Sequence, residues 1–374
     1  RSHSLNKSNL FRTPMEQTKK IQFDKKTASD FYQVLSKRVE DYFKINNLSK
    51  HANAAMVTKS IFILSVFVLT YVGIISNVFS LGVVLILFAI NGFFAALIGF
   101  NISHDAVHGA YSSNKTLNRI LGSTFNLLGT NDYVWKIKHN VVHHTYTNIP
   151  EHDSDIEDIP FIRLTAMQER KWNHRFQHIY MFFFYLFTTL SWVFKNDYVN
   201  FFRKDWGWYK NPDHPKIEYF RLFFYKALYY FMFLVLPFMV VDLPWYFILL
   251  GFILLHFVEG MTLAIVFQLA HVVEGAEFPE PNEEGKVKDS WAIHQLRTTA
   301  NFARNSKLAN FICGGLNFQI EHHLFPAICH IHYTKLAPIV QSTAREYGLP
   351  YNESKTFMGA LMSHIRMMQK LGTA

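Results

Sequence analysis

Four long apolar runs, arranged as two pairs, dominate the pattern of hydrophobic and polar positions along the chain. They occupy residues 61–79, 81–100, 222–241 and 244–270. Each run is near the ~20 residues that an α-helix needs to cross the hydrocarbon core of a membrane. The linker within each pair is very short, so the pattern predicts two helical hairpins and an all-α integral membrane protein.

Lysine and arginine are distributed unevenly around these runs. Neither linker within a pair contains one. The regions on the other side of the runs carry many: Lys44, Lys50, Lys59, Lys136, Lys138, Arg163 and Arg297. Positive charge collects on the cytoplasmic side of membrane proteins. We therefore expect both termini and the polar regions of the chain to be cytoplasmic.

The segments outside the runs have weaker patterns. Residues 28–45 repeat apolar side chains at helical spacing, which predicts a surface helix on the membrane or on the polar lobe. Its apolar stripe is Phe31, Val34, Leu35, Val39, Tyr42 and Phe43. Residues 275–290 are rich in Pro, Glu, Gly and Lys, which predicts an exposed loop. We expect residues 1–27 to be disordered, with a natural start at Met15, and residues 351–374 to form a C-terminal helix or tail.

Histidines gather in three clusters on the expected cytoplasmic side. The clusters contain His104 and His108; His139, His143 and His144; and His322 and His323 after a Gly314-Gly315 turn. Side chains four residues apart share a helix face, so His104 points the same way as His108, and His139 the same way as His143. Imidazole suits iron, zinc, copper and nickel. Seven histidines are too many for one tetrahedral zinc and are about right for two metal ions.

The fourth apolar run is longer than a membrane requires. From Trp245 to His271 a helix would measure about 39 Å, so its end should project beyond the ~30 Å core. The second run likewise continues into His104 and His108. The apolar stretch 178–194 would place the third cluster across the membrane from the first two if it spanned. We therefore expect it to be an interfacial helix or a partly inserted hairpin.

The three clusters, in this order and with apolar spans between them, resemble the histidine boxes of the membrane-bound fatty acid desaturases. The third cluster, G-G-L-N-F-Q-I-E-H-H-L-F-P over residues 314–326, is similar to that of the front-end (Δ5/Δ6-type) acyl desaturases and their bacterial relatives. The likeness runs from about residue 31 to about residue 347. It implies one desaturase domain over residues 28–350: four transmembrane helices as two hairpins, with a cytoplasmic helical cap that holds a histidine-ligated di-iron site.

The resemblance also implies a ligand set. The expected metal ligands are His104, His108, His139, His143, His144, His271, His322 and His323, of which His271 follows the fourth run where the family supplies an extra ligand. Gln319 replaces a histidine ligand of many relatives; weak binding, binding through water and no binding are all open. Asp105 and Glu321 would orient ligands or be ordinary solvated charges. His294 is a further ligand or a structural histidine. For the acidic residues 152–158, salt bridges or support of ligands are favoured over a carboxylate metal site.

The implied activity is insertion of a cis double bond into a fatty acyl chain, with two iron ions, O2 and two electrons per turnover. Saturated C–H bonds offer no acid or base handle, so a redox metal is needed. The acyl carrier, lipid or CoA, is open. No His-Pro-Gly-Gly motif of a fused cytochrome is seen, since His214-Pro215 is followed by Lys216. We therefore expect a separate electron donor, ferredoxin or a free b-type cytochrome with its reductase, and a location in a bacterial inner membrane.

Composition narrows the partners. The net charge of +9 is typical of proteins that bind nucleic acid or an anionic membrane surface, and the apolar runs favour the membrane. We expect no nucleic acid. Two cysteines make no disulfide framework.

Other functions remain open from sequence alone. The same irons would serve a hydroxylase, an epoxygenase or a carotenoid oxygenase, which product analysis would separate. A metal transporter is disfavoured because transporters bind near mid-membrane. A structural membrane protein would bind no iron.

Glu259 stands inside the fourth run, three residues after His256. A charge at mid-membrane costs about 2.5–3.5 kcal/mol on insertion scales, so we expect this group to be partnered or protonated. Pairing with His256 and contact with substrate are both open.

Overall fold

Four long apolar helices form the centre of this mostly helical protein. The computed structural model describes residues 21–24, 30–156, 161–206, 209–210 and 213–374. The helices that are long and apolar enough to cross a membrane are Ala54–Ile75, Leu81–Val107, Lys216–Val240 and Trp245–His271, called here the first to fourth spans. Their outward side chains are apolar and exposed, for example Ile61 and Leu69, as lipid contact requires.

The first and third spans begin earlier than the apolar runs predicted. The first span starts at Ala54, not residue 61, because the Asn53 side chain accepts a hydrogen bond from the Met56 backbone (3.0 Å) and caps the helix. It ends at Ile75, and Asn77 then takes a left-handed conformation (φ 57°). The third span starts at Lys216, not at residue 222. Hydropathy finds the apolar part of a helix and misses polar turns at its start.

Several helices contain π-helical turns. In the second span, Gly99–Ser103 is π-helical and lies between the α-helices Leu81–Ile98 and His104–Val107. In the third span, Phe231–Val235 is π-helical and lies between the α-helices Lys216–Tyr230 and Leu236–Val240. Two further π-helical segments are Ile137–His143 and Trp192–Asn196. π-Helical turns are rare and occur often at functional sites.

The second and fourth spans pack closely along their length. A Cβ atom at Gly92 would overlap the backbone carbonyl of Leu255, and one at Gly251 would overlap the ring of Phe88. Small residues let helix backbones approach in this way inside a membrane. The fit fixes where His271, at the end of the fourth span, lies relative to the end of the second span.

The remaining helices form the region at the polar end of the spans, called here the polar lobe, and the elements that pack against it. The α-helices are Phe31–Ile45, Lys115–Gly122, Thr124–Leu127, Asp132–Lys136, His144–Tyr146, Gln177–Leu186, Thr188–Ser191, Asp197–Phe202, Trp291–Thr298, Lys307–Ile312, Gln319–Leu324, Tyr333–Glu346 and Phe357–Thr373. The 3₁₀ turns are Ser154–Ile156, Trp172–Phe176 and His330–His332.

The predicted interfacial stretch is helical and lies against the fourth span. It belongs to a larger helical region, residues 177–202, which we call the lateral segment. A Cβ atom at Gly260 would lie 3.0 Å from the carbonyl of Tyr185 and 2.9 Å from that of Leu186, so the segment crosses the fourth span near its middle. The lateral segment is not one of the four helices with the length and hydropathy of a span.

The N-terminal helix lies on the polar lobe, which decides between its two predicted positions. Phe31, Leu35, Val39 and Phe43 of helix Phe31–Ile45 are buried in a cluster shared with helix Tyr333–Glu346. These four belong to the predicted stripe. Helix Phe357–Thr373 lies within residues 351–374, the segment for which a C-terminal helix or tail is predicted.

Among the described residues there are three short strand pairs, two of which join segments far apart in the sequence. Gln22–Phe23 pairs in parallel with Lys286–Val287, Asn301–Phe302 pairs in parallel with Glu353–Ser354, and Asp205–Trp206 pairs antiparallel with Tyr209–Lys210. The first pair corrects the expectation of disorder throughout residues 1–27, because residues 21–24 are ordered by backbone bonds to the loop at 285–289. Residues 1–20 and 25–29, including Met15, lie outside the described part of the chain.

Candidate metal centre

The fold brings the three histidine clusters together at the polar end of the spans. His104 begins the last turn of the second span, directly after its π-helical segment. His139 and His143 lie in the π-helix Ile137–His143, and His322 and His323 in the short helix Gln319–Leu324. His271 is the last residue of the fourth span. All eight predicted histidine ligands therefore meet in one region.

A pair of glycines lets the third histidine cluster pack closely against the first. Gly314 and Gly315 both have positive φ (56° and 77°), a conformation that side chains disfavour. A Cβ atom at Gly314 would lie 2.5 Å from the carbonyl of Phe100, in the π-helical turn before His104. At Gly315 a Cβ atom would overlap the side chain of His330. The turn needs glycine for its conformation and also for the close approach.

The first group of possible ligands combines all three clusters. Ring nitrogens of His104, His108, His139 and His322 lie within 4.8 Å of one another. The Nε2 atoms of His104 and His139 are 3.2 Å apart. Two nitrogens about 2.1 Å from one ion would be separated by a similar distance. The Nε2 atoms of His108 and His322 are buried and have no hydrogen-bond partner among the described residues, as expected of atoms meant for a metal.

The second group is built around the end of the fourth span. It contains His143, His271 and His323, within the same distance limit of 4.8 Å. His144 connects the two groups: it forms a further set with His322 and His323, and its Nε2 lies 3.2 Å from that of His139. Among the groups that contain histidines alone, His139 and His143 thus belong to different ones, although both lie on one face of their helix.

Gln319 lies inside the second group. Its Nε2 is 2.9 Å from Nε2 of His271 and 3.3 Å from Nε2 of His323, and its Oε1 has no partner among the described residues. The amide is therefore placed where a ligand would be. Rotation of the amide by half a turn would exchange its oxygen and nitrogen and direct the oxygen to the centre of this group.

The outer nitrogens of three histidines contact groups that accept hydrogen bonds. Nδ1 of His143 lies 2.9 Å from Oδ2 of Asp153, and Nδ1 of His323 lies 2.7 Å from Oε1 of Gln295. Nδ1 of His271 faces the Thr298 carbonyl at 3.4 Å. Because these partners accept, the hydrogen sits on Nδ1, and the lone pair of Nε2 points to the centre. Metal-binding histidines are oriented in this way.

Burial favours the neutral form of five of the clustered imidazoles. Loss of water, followed by the proximity of the other histidines, lowers the pKa of His108, His139, His144, His322 and His323 well below the usual value. A neutral imidazole has a free lone pair, and metals bind this form. The site is thus poised for cations, not for anions.

Other predicted candidates take positions around the histidines. The carboxylate of Asp105 is 3.9 Å from His104 Nδ1 but 2.8 Å from Nδ1 of His330, its main partner. Glu321 accepts hydrogen bonds from Asn301 (2.7 Å) and Tyr351 (2.8 Å). The carboxylates of Asp105 and Glu321 thus hold the first and third boxes in place through contacts with residues outside the predicted ligand set.

His294 and residues 152–156 of the acidic stretch are also placed, whereas residues 157 and 158 lie outside the described part of the chain. His294 is buried, and among the described residues its nitrogens join none of the possible ligand groups. Asp155 binds Lys138 at 2.7 Å and lies 3.4 Å from Nδ1 of His143, which agrees with the favoured salt-bridge role. The same 4.8 Å limit also groups Asp155 with His139 and His143.

Sequence reasoning missed Gln295 and His330. Gln295 follows the candidate His294, and its amide joins two boxes: Oε1 faces His323 and accepts from Thr147 (2.9 Å), while Nε2 donates to the His144 carbonyl (3.3 Å). No local motif marks this residue. His330 lies beyond the third box, and only its contact with Asp105 reveals its place.

An apolar cavity opens beside the first group. His104 and Trp135 line it at the metal end, and Glu259, Leu263 and Phe267 of the fourth span line it further along. Its walls therefore come from the second and fourth spans, from residues 125–135 and from Trp192 of the lateral segment. A chain of methylene groups is the kind of ligand that such walls accept.

Comparison with known proteins agrees with this arrangement. A family model described as "Fatty acid desaturase" matches residues 79–355. The chain is 36% identical over 354 residues to an sn-1 linoleoyl-lipid 6-desaturase of Arthrospira platensis, covering 95% of each chain. It is 36% identical over 363 residues to a protein of the same name from Synechocystis sp., covering 95% of this chain and 98% of the relative. It is 38% identical over 347 residues to an acyl-lipid (8-3)-desaturase of Physcomitrium patens, covering 92% and 72% of the two chains.

The histidine boxes, the four apolar helices and these matches agree with one another. The chain is an oxidoreductase that belongs to the fatty acid desaturase family.

Proposed function

We propose that this protein is a front-end desaturase that acts on acyl chains of membrane lipids and holds two iron ions. The observation that carries the proposal is the convergence of eight histidines, with inward Nε2 atoms, beside an apolar cavity between the second and fourth spans. The relatives named linoleoyl-lipid 6-desaturase and acyl-lipid (8-3)-desaturase support a lipid-linked substrate.

The histidines fit two irons better than one zinc. The two groups and the connecting His144 offer more nitrogens than a tetrahedral site uses. His104, His108, His139 and His322 would hold one ion. His143, His271 and His323 would hold the other, with Gln319 as a weak ligand. Bound iron supplies the redox chemistry with O2 that breaks unactivated C–H bonds.

This chain's own residues position the substrate and exclude water. The cavity is lined by Trp135, Leu263 and Phe267, so an acyl chain replaces water there. The ring of Trp135 stacks on His139 (4.3 Å between centroids), which fixes one wall relative to the metal ligands. Which methylene groups lie beside the histidines then depends on how far the chain enters.

The direction of insertion follows from charge. With both short linkers free of Lys and Arg, the termini and the histidine lobe would face the cytoplasm of the bacterial inner membrane, and the spans would form two hairpins below it. Lys136 is exposed beside the second box and would attract an acidic ferredoxin or cytochrome. We expect Lys136→Glu to raise the KM for the donor protein, and an unchanged KM would refute this docking site.

The test is a fatty-acid profile by gas chromatography–mass spectrometry. A host without polyunsaturated lipids would express the wild type, His322→Ala and the control His51→Ala, with candidate acids in the medium. His51 contacts the Ala110 carbonyl (3.1 Å) and belongs to none of the ligand groups. We expect a new double bond in the wild type and the control only.

Other products would change the conclusion. A hydroxy acid would indicate a hydroxylase. Absence of product from iron-loaded protein supplied with ferredoxin and its reductase would rule out the acyl substrate.

A further inference from the structure

Three exposed basic side chains gather directly before the lateral segment. They belong to Arg170, Lys171 and Arg175. None of the three forms a salt bridge among the described residues. We call residues 170–176 the basic turn. Its positive charge therefore faces the surroundings of the protein and is not used inside the fold.

Two aromatic side chains of the basic turn also face outwards. Trp172 is 78% exposed, and Phe176 is exposed as well. The guanidinium group of Arg175 lies 4.5 Å from the centre of the Phe176 ring, so a cation is held over an apolar surface. Exposed tryptophan beside lysine and arginine is typical of the boundary between a membrane and the cytoplasm.

The basic turn lies close to a surface that suits contact with lipid tails. Helix Gln177–Leu186 follows it directly, and the apolar side chains of Ile179 and Phe183 are exposed on that helix. Arg175 precedes Ile179 by four residues, which corresponds to roughly 6–8 Å at the rise of an α-helix or a 3₁₀ helix. Side chains at this height above the hydrocarbon meet the lipid head groups.

We propose that the basic turn binds the phosphate groups of anionic lipids in the leaflet on the side of the polar lobe. Guanidinium and ammonium groups form charge-assisted hydrogen bonds with phosphate oxygens. Basic segments next to a membrane are attracted to its anionic lipids. Glu169 is the one acidic residue among residues 163–178, so the charge of this surface is positive. A lipid whose head group has no net charge lacks this attraction.

This contact would also hold the lateral segment in place. On its inner side the basic turn is fixed to the C-terminal helix, since a Cβ atom at Gly372 would lie 2.1 Å from the His174 carbonyl. The basic turn continues without a break into the lateral segment, whose Trp192 lines the apolar cavity. Binding of an anionic lipid would therefore order a wall of the cavity as well as the basic turn.

The first experiment measures lipid binding to the purified full chain by native mass spectrometry. The chain would be titrated with phosphatidylglycerol and with phosphatidylcholine that carry the same acyl chains. A basic residue near an anionic surface contributes about fivefold in affinity. We expect Arg175→Gln to weaken binding of phosphatidylglycerol about fivefold and to leave phosphatidylcholine unchanged. Equal binding of the two lipids by the wild type would overturn the proposal.

Two triple variants separate the basic turn from net charge. The first combines Arg170→Gln, Lys171→Gln and Arg175→Gln and should bind both lipids equally. The control removes the same charge from exposed lysines of the polar lobe, with the substitutions Lys37→Gln, Lys44→Gln and Lys335→Gln. It should keep the preference of the wild type. Equal loss of the preference in the control would show that net charge, and not the basic turn, attracts the lipid.

A soluble phosphate tests whether the site belongs to the membrane. Glycerol 3-phosphate, at the concentration of the lipid, should not displace phosphatidylglycerol, because it lacks the tails that place the phosphate beside Trp172. Displacement at that concentration would indicate a site for soluble phosphates and would overturn the proposal.

Hydrogen–deuterium exchange in lipid nanodiscs tests the effect on the lateral segment. We expect its amides to exchange more slowly in phosphatidylglycerol than in phosphatidylcholine in the wild type and the lysine control. The difference should vanish in the triple variant of the basic turn. Its absence in the wild type, or its persistence in that variant, would refute the ordering of the segment by the lipid. These measurements need neither iron nor turnover, so their outcome is independent of the proposed function.

Discussion

Replacement of Gln295 by leucine tests how the metal centre is held. Gln295 is fully buried, and its Oε1 faces Nδ1 of His323 at 2.7 Å. Leucine has a similar size and no acceptor. The hydroxyl oxygen of Thr147 lies 3.3 Å from the same nitrogen and would be a weaker acceptor, because this distance is longer than the 2.7 Å to Gln295. The ring of His323 would lose its strongest positional constraint.

The size of the effect follows from that lost bond. A buried donor left without a partner costs about 1–3 kcal/mol. Loss of an outer partner of a metal-bound histidine typically lowers metal affinity about 10- to 100-fold. We expect Gln295→Leu to lower the affinity for iron by about 10- to 100-fold. Gln295→Glu should retain most of it, since a carboxylate accepts from both His323 and Thr147, although it loses the long bond to the His144 carbonyl and places an oxygen beside that carbonyl instead.

The assay is iron per protein after equilibration with a graded series of chelator, measured by mass spectrometry of the metal. Gln177→Leu is the matched control. Gln177 is also fully buried, accepts from the Arg163 backbone (2.8 Å) and donates to the carbonyls of Arg163 (3.0 Å) and Met368 (2.8 Å), but it contacts none of the histidine ligands. Gln177→Leu should lower the melting temperature without changing the chelator concentration at which half of the iron is released.

Two outcomes would refute the reasoning. If Gln295→Leu releases iron at the wild-type chelator concentration, the bond to His323 does not position the ligand. If Gln177→Leu releases iron as readily as Gln295→Leu, general loosening of the fold explains both results.

Two further predictions concern stability and are checked by thermal unfolding in detergent. Gly315→Ala should be far more destabilising than Gly348→Ala: both glycines have positive φ (77° and 64°), which costs about 1–2 kcal/mol for alanine, but only at Gly315 would a Cβ atom overlap another side chain. Equal losses would contradict the packing argument. Lys226→Met should cost about 3–5 kcal/mol, because it leaves Asp197, now 2.8 Å from the ammonium group, buried without its cation. Adding Asp197→Asn should recover part of the loss, and no recovery would show that the pair contributes little.

Much of this architecture could be predicted because its signals are local. Apolar runs mark spans, and short repeats such as His104 to His108 mark boxes. The limits of the spans were less predictable: the cap at Asn53 lies outside the apolar run, and hydropathy does not register it. His271 has no neighbouring histidine, and only resemblance to a family selected it.

The supports of the site could not be predicted, since they join residues far apart in sequence. His294 and Gln295 are neighbours in the sequence. The sequence suggests His294 as a candidate ligand, but Gln295 is the residue that contacts a box histidine, His323. Gly92 is another example. It must be glycine because a Cβ atom there would overlap the backbone of Leu255 in the fourth span. The identity of the metal ligands themselves stays a prediction that binding measurements on single variants can test.

At the π-helical turn before the first box, a regular backbone and the activity make opposite demands on the second span. Substitutions that let the same residues of Gly99–Ser103 form a uniform α-helix would be an improvement by most design criteria. A π-helical turn holds about one residue more than an α-helical turn, so this change would turn everything after it by about 100° relative to the rest of the span. His104 and His108 would then face away from His139 and His322. Redesign of this protein for ideal geometry would therefore remove an irregularity on which the position of the first box depends.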